Sequence, residues 1–331
     1  MGTILELPLS RRLRPALAEL AELAELAEPA PPQEDEAGRL LALPAFPEAI
    51  QQLARGFVAI HEAAPRAAAL FATQQRWLLC HAALALYFRR EDPARPGLTR
   101  RDIGQLALRH AIASRNTAYA FFDEALKYGV IHRVPGSTAG EGCLTAPSPA
   151  TLTMLAHWFA AHLQALDLID KGDRTSRFQE APELLLALAE PEIARALLAD
   201  PGIRQPGPLY SIFTWADAGG LLMDRLIAGI GPEVAPERDK FLTDVSAISH
   251  LAEAFGLSRA HTSRKFAAAE SIGGVGWSGR RGRSRIWISR AFHDEYARAQ
   301  AQKLAIIEQA FVAALARLSA EADNPPVSAP T

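Results

Sequence analysis

The feature that most constrains this chain is that it repeats itself. The segment LTRRDIGQLALRHAIASRNTAYAFFDEALKYGVIHRV (98–134) can be laid on LTDVSAISHLAEAFGLSRAHTSRKFAAAESIGGVGW (242–277). At an offset of 144, Ser114-Arg115 falls on Ser258-Arg259, Phe122 on Phe266 and Gly129 on Gly273. At 145, Ile103, Leu106 and Ala107 fall on Ile248, Leu251 and Ala252. The extra residue sits where a turn between helices is expected, and length varies most cheaply there. A repeated supersecondary unit restricts the architecture more than composition can.

Within the first copy, Thr99 stands at an N-cap position with Asp102 three residues on, and Ile103, Leu106 and Ala107 make one apolar face. Ser114 is the next cap candidate. Ala118, Phe122, Ala125 and Leu126 form the buried stripe of a second helix that stops at Gly129. Arg115, Asn116, Thr117, Tyr119 and Ala120 then face outward. Val130–Val134 reads as a short strand, VPGSTAGEGC as a loop, and Leu144-Thr145 as the returning strand. Helix, turn, helix and hairpin make a winged helix.

The second copy follows the same grammar with more charge. Thr243 or Asp244 is expected to cap its first helix and Ser258 its second. Arg259, His261, Ser263 and Arg264 point outward, while Thr262, Phe266 and Ala269 point in. Its hairpin carries Arg280, Arg281, Arg283 and Arg285 between strand residues Val275, Trp277, Ile286, Trp287 and Ile288. Arginines on such a tip suit DNA phosphates or a narrow minor groove.

The net charge of −2 hides this segregation. From 259 to 290, Arg259, Arg264, Lys265, Arg280, Arg281, Arg283, Arg285 and Arg290 oppose Glu270 alone, for a local charge of +7. The first forty residues lean acidic. There ALAELAELAELAEP (16–29) reads as a surface helix on a tether, followed by the loop-like PAPPQEDEAG. With 49% hydrophobic residues, the 331-residue chain can bury one large core or two ordinary ones. Helical patterns dominate it.

Ala113–Thr117, Leu257–Thr262 and the step Tyr128-Gly129-Val130-Ile131-His132-Arg133 resemble the recognition turn and wing entry of MarR-type winged-helix regulators. The resemblance covers roughly 70–170 and 210–320. It implies that TLTMLAHWFAAHLQALDLI and FHDEYARAQAQKLAIIEQAFVAALARL are dimer-type helices, so that one chain mimics a dimer. The family's Asp-x-Arg wing signature is missing from both copies, and Lys265 sits at a normally apolar position.

Other chemistry is not encoded. GSTAGEG (136–142) lacks the Lys-Ser/Thr ending of a phosphate loop, and it falls at a wing tip. His157 and His162, five apart on one helix, diverge instead of converging on a metal, and Cys80 and Cys143 are too few for a zinc site. Glu34-Asp35-Glu36 lies in the tether. The expectation is therefore a non-enzymatic protein with no cofactor.

The expected fold is mostly α: two winged helix-turn-helix domains in tandem, with long flanking helices and a pseudo-two-fold arrangement. The expected limits are an acidic helix and tether (1–45), a first domain (46–175), a linker (176–208), a second domain (209–322) and a disordered tail (323–331). The expected partner is double-stranded DNA, in a cytoplasmic, nucleoid-associated protein outside the membrane. Arg100, Arg101, Arg115, Asn116, Thr117, Tyr119, Arg259, His261, Ser263, Arg264, Arg280, Arg281, Arg283 and Arg285 are the expected contacts. Transcriptional regulation leads. A replication-initiator-like protein, or a protein-docking module using the acidic N-terminal helix, are the alternatives, and pairing with a second copy stays open.

Overall fold

The computed structural model describes residues 33–63, 65, 73–89, 97–137, 142–214, 219–234 and 239–323. The expected helix at 16–29, the first hairpin tip at 138–141 and the tail at 324–331 lie outside them. The described chain is mostly helical. Its first half holds α1 (Gln33–Leu41), α2 (Phe46–Ala63), α3 (Gln74–Arg89), α4 (Arg100–Arg109), α5 (Arg115–Lys127), β1 (Ile131–Arg133), β2 (Thr145–Pro147) and α6 (Pro149–Asp170). Next come α7 (Arg174–Glu180), α8 (Pro182–Ala199), α9 (Pro201–Arg204), α10 (Pro208–Thr214) and α11 (Gly219–Ala228). The chain then runs through β3 (Ile230–Val234), β4 (Lys240–Thr243), α12 (Ile248–Ala254), α13 (Arg259–Ser271), β5 (Val275–Trp277), β6 (Ile286–Ser289) and α14 (Arg290–Asp323).

Local sequence explains many of these boundaries. Helix α6 starts where Ser148 accepts from the Thr151 amide with proline at the first helical position, and α14 starts where Ser289 accepts from the Phe292 amide. In α8, every residue from Leu185 to Pro191 is buried. A helix with no polar face to give to water goes to the middle of a fold.

Helix α8 packs most extensively on α3, and then on α14. This corrects the expected linker at 176–208, because three helices and part of the central core occupy it. The packing is also exchanged between the repeats. Helix α8 precedes the second repeat yet covers α3, which opens the first; α2 precedes the first repeat yet packs on α11, which opens the second. Helices α6 and α14 lie against each other, α6 also meeting α2 and α14 meeting α8. One continuous hydrophobic core runs from Ala37 to Ala314.

Both repeats build small antiparallel sheets in one order. In the first, Leu98 bridges Thr145 with N–O distances of 2.8 and 2.9 Å, and β2 pairs β1 through Ile131↔Pro147 and Arg133↔Thr145. In the second, β4 pairs β6 through Leu242↔Trp287, and β6 pairs β5 through Gly276↔Trp287. The segment before the first helix thus pairs with the returning hairpin strand in each copy, through the single bridge at Leu98 in the first and the strand β4 in the second. An outer strand, β3, adds to β4. Its IGPEV sequence has the Gly and Pro of a loop, and only the neighbouring strand makes it extended.

Two further expectations are corrected. The first helix of the second repeat, α12, begins after Ala247 with no side-chain cap; buried Thr243 instead donates to Ile286 O at 2.7 Å, and Asp244 pairs with Arg225. Gln33–Leu41, expected within a tether, is a helix docked on α14, with Ala37 and Leu40 buried. Among the described residues, no helix is long and apolar enough to cross a membrane, and no group of three His, Cys, Asp or Glu could hold a metal ion.

Candidate nucleic-acid interface

The helix pair of the first repeat is fixed at each joint. Thr99 and Asp102 form a reciprocal cap on α4, with the Asp102 amide donating to Thr99 Oγ1 at 3.2 Å and the Thr99 amide to Asp102 Oδ2 at 2.8 Å. The turn passes through Ala111 at φ 48°, closed by Ile112 N to Ala107 O at 2.9 Å. Ser114 then caps α5 by accepting from the Thr117 amide. Ala118, Phe121, Phe122 and Ala125 are the buried stripe, and Leu126 is only half-buried.

The second repeat reproduces the turn but not the caps: Ser258, expected to cap α13, stands at its N-cap position with no side-chain cap bond, as α12 also lacks one. Gly256 at φ 62° replaces Ala111, and Leu257 N closes the turn on Ala252 O at 2.7 Å. Helices α5 and α13 each contain 13 residues, 144 positions apart. Both end in a left-handed glycine, Gly129 at φ 71° and Gly273 at φ 74°, a conformation that costs a side-chain-bearing residue more. The next amides, Val130 and Gly274, reach back to Ala125 O and Ala269 O. Thr262, Phe266 and Ala269 are buried, as the pattern predicts.

Lys265 is buried on α13 as well, and its ammonium donates to Phe213 O at the end of α10 at 3.0 Å. That acceptor explains a lysine at a position the pattern reserves for an apolar residue.

Several expected contact residues are exposed. Arg101, Arg115, Asn116 and Thr117 are exposed in the first copy, and Arg259, Ser263 and Arg264 in the second, with His261 half-buried. On the second hairpin, Arg280 and Arg283 are exposed on a turn ordered by Gly279 N to Ser284 Oγ at 2.9 Å and Arg283 N to Arg280 O at 3.0 Å.

Others are engaged within the fold. Arg100 on α4 donates to Asp123 on α5 at 2.8 and 3.1 Å and lies 4.0 Å over the Tyr119 ring. Tyr119 packs into the space left by Gly104, where a Cβ would come within 2.6 Å of the ring. The Arg100–Tyr119 pair therefore holds α4 against α5. Arg281 pairs with Glu270 at 3.1 Å and stacks 4.6 Å from the Trp277 ring centre. Arg285 donates to Thr243 O at 2.7 Å and ties the hairpin to β4. His132 and Arg133, not among the expected contacts, are also exposed, on β1 of the first hairpin.

Searches against protein-family models, curated proteins and solved structures return no match to this chain.

Proposed function

We propose that the chain is a double-stranded DNA-binding transcriptional regulator, nucleoid-associated, with two winged-helix units of unequal grip. One observation carries this reading. Two helices of equal length, both ended by a left-handed glycine, each present exposed polar and basic residues on their N-terminal halves: Arg115, Asn116 and Thr117 in one, Arg259, Ser263 and Arg264 in the other. The first residues of a recognition helix are those that meet base edges when it enters a major groove. Each helix is followed by a hairpin, and the second hairpin adds exposed Arg280 and Arg283, whose guanidinium groups suit phosphates. The strand order, with the segment before each helix pair joining the returning hairpin strand, supports the winged-helix assignment.

Titration of a fluorescent random-sequence duplex at several salt concentrations tests this. Binding should weaken steeply with salt. Replacing Arg280 and Arg283 with alanine together should weaken it on every sequence and reduce the log–log salt slope by roughly 2. Arg281 is the wrong residue to pair with Arg283, because Glu270 and Trp277 already hold it. Absence of retention at about 50 mM salt, where nonspecific binding to phosphates is strong, would favour a protein-docking module instead.

A further inference from the structure

A cavity of about 260 Å³ lies between the two repeats, bounded by α2, α3, α6, α9, α10, α11 and α14. Its walls include the rings of Phe57, Trp77, Trp158 and Tyr210, which suit a flat apolar body. Its polar groups are left incompletely satisfied by the fold. The Lys303 ammonium sits 5.8 Å from the Phe57 ring centre and 6.0 Å from that of Trp77, with no hydrogen bond or ion pair to any described residue. Asp224 accepts the Tyr296 hydroxyl at 2.7 Å through one oxygen, and its other oxygen has no partner among the described residues. Gln300, 1% exposed, has an unpartnered amide oxygen. Lys303 and Asp224 are both in the lining, yet they do not form a salt bridge with each other. Burial shifts both toward neutrality, Lys303 down to about 8 and Asp224 up to about 6.

We propose that this cavity binds a small aromatic zwitterion: one or two rings, an anionic group for Lys303, and an N–H donor for Asp224 and Gln300. A ligand carrying both groups completes the separated charges that the chain itself leaves apart, and the volume admits little more than one such molecule. Resting on the DNA-binding reading above, the site is an effector site, because its walls are joined to both candidate recognition helices. Arg76, next to Trp77 on α3, pairs with Glu124 on α5 at 2.9 Å. Thr214 lines the cavity at the end of α10, and the adjacent Phe213 carbonyl holds Lys265 of α13. His61 lines it from α2 and packs edge-on, ring centres 5.3 Å apart, on Phe255 in the turn before α13. A ligand that changes the spacing of these walls changes the relative placement of the two helices, and coupling of that kind is reciprocal.

Calorimetry on the full chain without DNA tests the site by itself. L-tryptophan and L-phenylalanine are the zwitterion probes; phenylpropionate lacks the donor and phenethylamine lacks the anion. At least one zwitterion should bind below about 1 mM, and its analogues at least tenfold more weakly. Lys303→Met should lower zwitterion affinity about tenfold and leave phenethylamine unchanged, while Asp224→Asn should weaken phenethylamine and spare phenylpropionate. A misfolded variant would lose every probe, so melting curves and the spared probe keep the result interpretable. No binding of any probe up to about 10 mM, or equal binding by the variants, overturns the site. A saturating zwitterion should then change the duplex-DNA Kd by about fivefold or more. Probe binding with no DNA binding overturns the DNA reading alone. DNA binding with no probe binding overturns the cavity alone. Binding of both without mutual effect overturns the coupling.

Discussion

Lys265 shows how much of this fold depends on single buried polar contacts. Its ammonium is the partner of the Phe213 carbonyl, and the next residue, Phe266, packs edge-on against the Phe213 ring at 5.7 Å. Lys265→Met should keep most of the packing but leave that carbonyl without its donor, lowering stability by about 1–3 kcal/mol in denaturant unfolding. An unchanged midpoint would show that water replaces the ammonium freely. His162 offers a second residue-level test. It is fully buried, its Nδ1 contacts Trp158 O at 2.7 Å, and burial drives its pKa down to about 3, with the nearby Lys303 charge acting the same way. Because the unfolded imidazole takes a proton near pH 6.5 and the folded one does not, this contribution is complete above 6.5 and is lost as pH falls from there toward about 3. Between pH 6 and 4, wild-type stability should fall faster than that of His162→Gln, by up to about 1.4 kcal/mol per pH unit. Parallel slopes would mean that the folded protein accepts the proton. The caps and stops at Ser114, Gly129 and Gly273 were legible in the sequence, because the partners of each lie within one or two turns. The engagement of Arg100, Tyr119, Arg281 and Arg285 was not, since Asp123, Gly104, Glu270 and the Thr243 carbonyl reach them only through packing.

At the scale of elements, local pattern located the helix pairs and hairpins but not their mates. The stripe in α13 predicts which side is buried; it cannot say that the end of α10 receives Lys265. Segment 176–208 was misread for a related reason. Its prolines at 182, 191, 201, 206 and 208 look like linker punctuation, yet Pro182, Pro201 and Pro208 begin helices and Pro191 lies inside the buried α8. Only the apolar run of α8 pointed to the interior, and α3 supplies the surface that makes it so. From this exchange, a fragment of residues 46–175 should not fold alone, because α3 would expose Leu78, Leu79 and Ala82 where α8 and its neighbours belong. Its amide NMR spectrum should be collapsed, and adding residues 176–323 in trans should restore dispersion. A well-dispersed spectrum of the fragment by itself would show that the two repeats are independent domains.

For the whole molecule, the repeat, the exchanged helices and the uneven charge lead to one expectation. Two helices joined through a common core can act together on DNA, but they differ in what they present: Arg115, Asn116 and Thr117 against Arg259, Ser263, Arg264 and the basic second hairpin. A symmetric operator would leave that difference unused. The most direct test is selection of bound duplexes from a random library by the full chain at physiological salt, followed by footprinting of the enriched sequence. The account predicts two unlike half-sites about one helical turn apart, or an imperfect palindrome, both protected by one chain. No enriched sequence, or protection of a single half-site that survives loss of Arg115 and Asn116, would contradict it.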